Sequence, residues 1–165
     1  MSNSSDSNAS PDSASVAVDE KQIQSWVDPD QPQASVDRLK SWKLKVKSTG
    51  NPYLLAHLLS YLGRFQSQLR RFEEARETLN EADFVLIEAA QRDSHESPVR
   101  HRAWVRYMME RARFFHYTGW EPSARSTLEN AVDMARATGH FDLFQEATRL
   151  QQELDFLPEQ HTGSV

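Results

Sequence analysis

Between Leu62 and Ala82 small and large side chains alternate at helical intervals, and that spacing admits few folds. Ala75, Leu79 and Ala82 stand four and three residues apart, and Ala124, Leu128 and Ala131 repeat the set 49 positions later. Gly63 and Ala112 are related by the same offset, and Ala112 and Ala147 by 35. Residues three and four apart share one helix face, so each set draws an apolar stripe. Small residues on the stripe let a neighbouring helix come close. A stripe that returns at intervals of this size marks stacked helical units, each burying its face only against the next.

Turn signals divide the chain into helix-sized pieces. Gly50 closes a first helix over about 36–48, for which Ser35 is the expected N-cap and Val36, Leu39, Trp42 and Val46 the inner stripe. Asn51-Pro52 opens a second over about 52–69, with Leu54, Leu55, Leu58, Leu59, Leu62, Phe65 and Leu69 inside. A third covers about 72–92. Ser97-Pro98 opens a fourth, about 98–118, with Trp104, Met108, Ala112 and Phe115 as its expected inner stripe. Gly119 and Gly139 bound a fifth over about 121–138, and a sixth over about 141–155 stops before Pro158. No segment alternates as a strand would. The expected fold class is all-α: stacked antiparallel helical hairpins, about six helices, over residues 35–157. Residues 158–165 read as a frayed tail.

Residues 1–34 are Ser-rich and acidic with few apolar side chains, a composition too poor in burial to offset its ordering entropy. They are expected to form a disordered tail. It holds one apolar island, Ile23, Trp26 and Val27, at the spacing of a short helix that docks on a surface. Charge is segregated along the chain. Residues 36–72 hold eight Lys or Arg against one acid, and the flanking stretches are acidic, for a total of −5. The segment Asp19 to Asp30 could therefore dock on a basic region of the same chain or of a second copy. The absence of Cys excludes a disulfide, a Cys-ligated metal and a thiol nucleophile, and suits a reducing compartment. With no apolar run of membrane-spanning length and no secretory pattern, a cytoplasmic protein is expected.

Leu62-Gly63, Phe72, Ala75, Leu79 and Ala82, followed by Phe115, Gly119, Ala124, Leu128 and Ala131, resemble the tetratricopeptide repeat. The likeness covers about 55–155. Gln66 stands where that family has an aromatic, Arg70 where it has its turn Gly, and Arg111-Ala112 replaces its Leu-Gly pair. The 49-residue offset exceeds the family's usual ~34 by about four helical turns. The resemblance implies two and a half units and a concave groove lined by the first helix of each. Carried over by position, that groove takes His57, Ser60, Arg64 and Ser67, then Arg106, Met109, Arg113 and His116. Arg102 falls on the same side, and Glu110 stands beside them. Guanidinium groups bind carboxylates through paired, charge-assisted hydrogen bonds. The implied ligand is an acidic peptide or protein segment, and the implied role is that of an adaptor or regulator.

The rival reading is nucleic-acid or anionic-surface binding through residues 38–71, where Arg38, Lys40, Lys43, Lys45, Lys47, Arg64, Arg70 and Arg71 concentrate and Trp42 could stack. The acidic remainder of the chain would repel phosphate. No catalytic set, phosphate loop or dinucleotide fingerprint occurs, so neither an enzyme nor a cofactor is expected. His95, Glu96 and His101 straddle a Pro-containing turn without a third ligand at metal-site spacing, so no metal site is expected.

Overall fold

A computed structural model describes residues 17–154, as an all-helical chain of stacked antiparallel hairpins. The expectations for residues 1–16 and 155–165 lie outside the described residues. The elements are α1 (Glu20–Ser25), α2 (Pro32–Ser48), α3 (Pro52–Gln68), α4 (Phe72–Arg92), α5 (Pro98–Tyr117), α6 (Glu121–Ala137) and α7 (Phe141–Glu153). Helices α2 to α7 follow the sequence reading to within a few residues at each end.

The boundary expected at residue 34 is corrected. Residues 17–31 are folded onto the stack: Asp19 caps α1 by accepting from the Gln22 N–H at 2.8 Å, and Val18, Ile23 and Trp26 are buried. Ser35 is not the cap of α2, which starts with Pro32 three residues earlier. Its hydroxyl accepts from the Asp28 N–H at 2.8 Å and donates to the Asp28 carbonyl at 3.1 Å, tying the 26–31 connection to α2. Asn51 and Ser97 do cap α3 and α5 as their spacing requires, each ahead of a Pro at the first helical position.

Three hairpin turns share one geometry. The N–H two residues beyond the C-cap reaches back to the helix interior: Arg71 to the Gln66 carbonyl at 2.9 Å, Trp120 to Phe115 at 2.8 Å, His140 to Ala135 at 3.0 Å. The residue between is left-handed in each, Gly119 at φ 85° and Gly139 at φ 76°, but Arg70 at φ 60° in the α3–α4 turn. A side chain with a Cβ is strained in that region.

The core has two parts that meet at α5. One is built by α1 to α4 with Ala103, Tyr107 and Phe114 of α5; the other joins Val105, Met109 and Ala112 of α5 to α6 and α7. The stripe expected for α5 is corrected accordingly. Trp104, Met108 and Phe115 are only half-buried, whereas Ala112 is buried together with residues on nearly every side of the helix. Between α3 and α4 there is no room for a side chain at Gly63. A Cβ there would lie 2.6 Å from Leu79 Cγ and 2.7 Å from its Cδ2.

Two outcomes test this packing. Gly63→Ala overpacks the α3–α4 crossing and should cost about 1–3 kcal/mol by urea denaturation; in a Leu79→Ala background that added cost should vanish, and additivity would refute the contact. Arg70→Gly relieves the left-handed strain at some cost in unfolded-chain entropy, so thermal denaturation should show a net gain of roughly 0.5–1 kcal/mol.

Candidate functional site

The residues expected to line a groove do fall on one side of the molecule, along α3 and α5, but that side is covered. Segment 17–31 lies over α3, and α7 lies beside α5. Ser60 and Met109 have no exposed surface, and Arg106 and His57 are each 1% exposed. The Ser60 and Ser67 hydroxyls donate to carbonyls of their own helix, Ala56 and Gly63, at 2.6 and 2.8 Å. Arg64, Arg102, Arg113 and His116 reach the surface, with side chains 20%, 21%, 12% and 32% exposed. The inference of an open groove with all nine side chains facing a ligand is therefore corrected: His57, Ser60, Ser67, Arg106 and Met109 are inside.

A ladder between α5 and α7 explains why the Arg residues can be there. Arg102 pairs with Asp142 at 2.6 Å, Arg106 with Glu146, and Arg113 with Glu153 at 3.6 Å. Each pair is 40 residues apart, so the two helices run side by side in one register. Glu110, fully buried on α5, serves three cations: Arg106 at 3.3 Å, Arg113 at 3.2 Å and Arg64 across on α3 at 3.9 Å. The Arg106 guanidinium also lies 4.7 Å from the Tyr61 ring centroid. Buried charges persist only when paired and hydrogen-bonded, and here the partners come from α5 itself and from α3 and α7.

Segment 17–31 adds the last partner. Arg102 grips Glu20 with a fork, Nε to Oε2 and Nη2 to Oε1, both at 2.9 Å, while Nη1 donates to Asp142 Oδ1 at 2.9 Å. These bonds to Asp142 and Glu20 stabilise the charged Arg102, which therefore titrates even higher than usual. The Asp142 carboxyl is held down to about 2, first by the Arg102 hydrogen bonds. Burial pushes the Glu20 carboxyl up, but Arg102, His57 and Arg106 together outweigh it and leave it below the ordinary value. The arrangement opens to solvent at a hollow of about 440 Å³ lined by Asp19, Glu20, Lys21, Gln24, Arg102 and Asp142.

Further along the same segment, Ile23 is fully buried in the core formed with α2 and α3, and the Trp26 indole stacks on Trp42 of α2, centroids 4.6 Å apart and planes 11° off parallel. The Pro29 carbonyl accepts from Gln68 Nε2 at 3.1 Å. Glu20, Ile23 and Trp26 are three residues apart, so one face of the segment presents a carboxylate, an aliphatic group and an indole in sequence. Beneath it lies His57. Its Nε2 is 3.7 Å from Glu20 Oε2, and neither ring nitrogen has a hydrogen-bond partner among the described residues. Burial pushes the imidazole down to about 4, the Arg106 and Arg102 charges adding to the effect and Glu20 opposing it.

Sequence reasoning missed Asp142, Glu146 and Glu153, whereas Glu20 belongs to the Asp19 to Asp30 segment expected to dock on a basic region of the chain, and it does so on Arg102. The signal for the three missed acids was present: three Arg–acid pairs at a constant offset of 40. The rival basic segment is also partly neutralised, since Lys40 lies 3.8 Å from Glu74 and Lys43 2.9 Å from Glu81 on α4. Among the described residues no group of three His, Asp or Glu could hold a metal, and no helix is long and apolar enough to cross a membrane. His95 and His101 do not alter this; His101 lies 3.5 Å from Glu96, and its ring centroid lies 6.3 Å from that of His140.

The chain matches no family model, no curated protein and no solved structure. The geometry of this face is therefore the basis on which its role is read.

The covered His57 yields a pH dependence with a definite sign. Its pKa is about 4 when buried, against an ordinary 6.5, so the unfolded or uncovered form takes up the proton first. Stability from this residue is complete above about 6.5 and is lost as pH falls toward 4, amounting to about 2 kcal/mol at pH 5. His57→Leu should shrink the difference in unfolding free energy between pH 7.5 and pH 5.0 by about that amount. An unchanged difference would show that the imidazole is not its source.

Proposed function

We propose that this protein is a non-catalytic protein-interaction module of tetratricopeptide-like design, an adaptor or regulator that takes a carboxylate-bearing segment of another protein on the α3–α5 face. Arg102 is the residue that receives the carboxylate, with Arg64 and Arg113 flanking. The observation supporting this reading is the way segment 17–31 sits. A short helix lies across the first helices of two hairpins, its Glu20 in the fork of Arg102 and its apolar side chains between α2 and α3. The face thus has both parts of a peptide-binding surface, a bidentate anchor for a carboxylate and an apolar seat.

The charge balance refines the expected ligand. With segment 17–31 set aside, Arg64, Arg102, Arg106 and Arg113 stand against Glu110, Asp142, Glu146 and Glu153, and the face carries no excess of cations. A strongly acidic peptide has little to gain there. One well-placed carboxylate has, because Arg102 can bind it through two donors at once.

Affinity capture from the native source tests the proposal, comparing wild type with Arg64→Glu/Arg102→Glu/Arg113→Glu. The variant should recover its partner at least tenfold less well while keeping its helical circular dichroism. Equal recovery from a folded variant would remove the Arg-lined face as the binding surface.

A further inference from the structure

We infer that residues 17–26 are the chain's own substitute for its ligand, and that the partner carries a segment of the same chemistry: a carboxylate in the first turn of a short helix, a branched aliphatic side chain three residues on, and an indole three further. This rests on the reading of the α3–α5 face as a binding surface and states what that surface selects.

Three features of the docked segment support it. It meets the rest of the chain through side chains at three-residue steps, Glu20 on Arg102, Ile23 in the core with α2 and α3, and Trp26 on Trp42, with Val18 buried ahead of them. That is the recognition pattern of an amphipathic helix in a groove, supplied in cis. The segment is also separable. Helix α1 has six residues, too few to persist alone, and it joins α2 through a connection containing Pro29. The contacts that close the hairpins, such as Gly63 against Leu79, do not involve it. Finally, the fit is incomplete. His57, 3.7 Å from Glu20 of the segment, is buried with both ring nitrogens unpaired, and an unsatisfied buried polar group weakens whatever packs against it. A partner segment that places a hydroxyl or amide against His57, while keeping the carboxylate and the two apolar anchors, binds this seat better than the chain's own residues do. Binding by the partner and release of segment 17–31 are then one event, and the affinity of the free seat is masked by the fraction of chains in which it is occupied.

The test uses a fluorescein-labelled synthetic peptide of residues 17–31, titrated by anisotropy against the full chain and against the full-chain variant Ile23→Asp/Trp26→Ala, which releases its own segment. The peptide should bind the variant at least tenfold more tightly than wild type. A peptide with Lys in place of its Glu20 should lose at least tenfold, and polyglutamate should not compete. Equal binding to both chains would overturn the substitute-ligand inference while leaving the face a binding surface. Absence of binding to a variant that still melts cooperatively would overturn the reading of the face itself. Competition by polyglutamate as strong as by unlabelled 17–31 would refute the apolar selection. A concentration-dependent dimer of the wild type that disappears in the variant would assign the seat to a second copy and overturn the proposal. If the variant does not fold, hydrogen exchange on the wild type decides. The Ile23 and Trp26 amides should exchange at least a hundredfold faster than the interior of α3, and exchange at the rate of global unfolding would make the segment plain core.

Discussion

The Arg106 guanidinium has essentially no exposed surface, and the placement of three helices answers to it. A cation at that depth must be met by carboxylates, and they come from its own helix through Glu110 and from α7 through Glu146, with the Tyr61 ring of α3 against its face. Burial works against its charge, yet Tyr61, Glu146 and Glu110 more than compensate and keep Arg106 protonated beyond the usual range. Breaking such a pair from one side is costly, because it leaves the other charge buried alone. The α5–α7 register follows from this. Once Glu146 meets Arg106, Asp142 and Glu153 stand beside Arg102 and Arg113 without further adjustment, since all three pairs share one offset.

That ladder also sets the limit on what the face can recognise. A row of Arg residues reads in sequence as an invitation to acid, but here most of the row is already answered from within. Only Arg102 has donors turned toward a segment that is not part of the α2–α7 stack, and there the chain presents Glu20. The selectivity of the face thus falls to a single fork and the apolar seat beside it, rather than to bulk charge. The unpaired imidazole of His57 sits between those two parts, where local rules of burial are most often relaxed at functional surfaces.

Much of this fold was legible in the chain because turn chemistry punctuates it. Asn51-Pro52, Ser97-Pro98, Gly119 and Gly139 each impose a local geometry that tertiary packing has no reason to override, and the helices between them are long and strongly periodic. Segment 17–31 was obscured for the opposite reason. Its composition is that of a disordered tail, and although Ile23 and Trp26 have the spacing of a docking helix, its order depends on a surface assembled from residues far along the chain, Arg102 and Trp42 among them. The depth of Arg106 was equally hidden. An Arg followed four residues later by Glu looks the same on a solvated helix as in a core; only the 40-residue correspondence with α7 separates the two. Ser35 was misread for a related reason: a hydroxyl suited to capping a helix is equally suited to bonding the preceding loop, and Asp28 takes it.

The stack of Trp26 on Trp42 has a use of its own. Two indoles 4.6 Å apart and nearly parallel do not absorb or emit as independent chromophores. Coupling of their strong far-ultraviolet transitions is expected to give a paired band in circular dichroism that neither ring has alone. Trp104, edge-on to Tyr107 within α5, and Trp120, on the surface at the α5–α6 turn, contribute a background that does not change when the first segment moves. The position of that segment is therefore written into the optical spectrum of the unlabelled chain, where it can be followed in real time and at concentrations far below those that structural methods require.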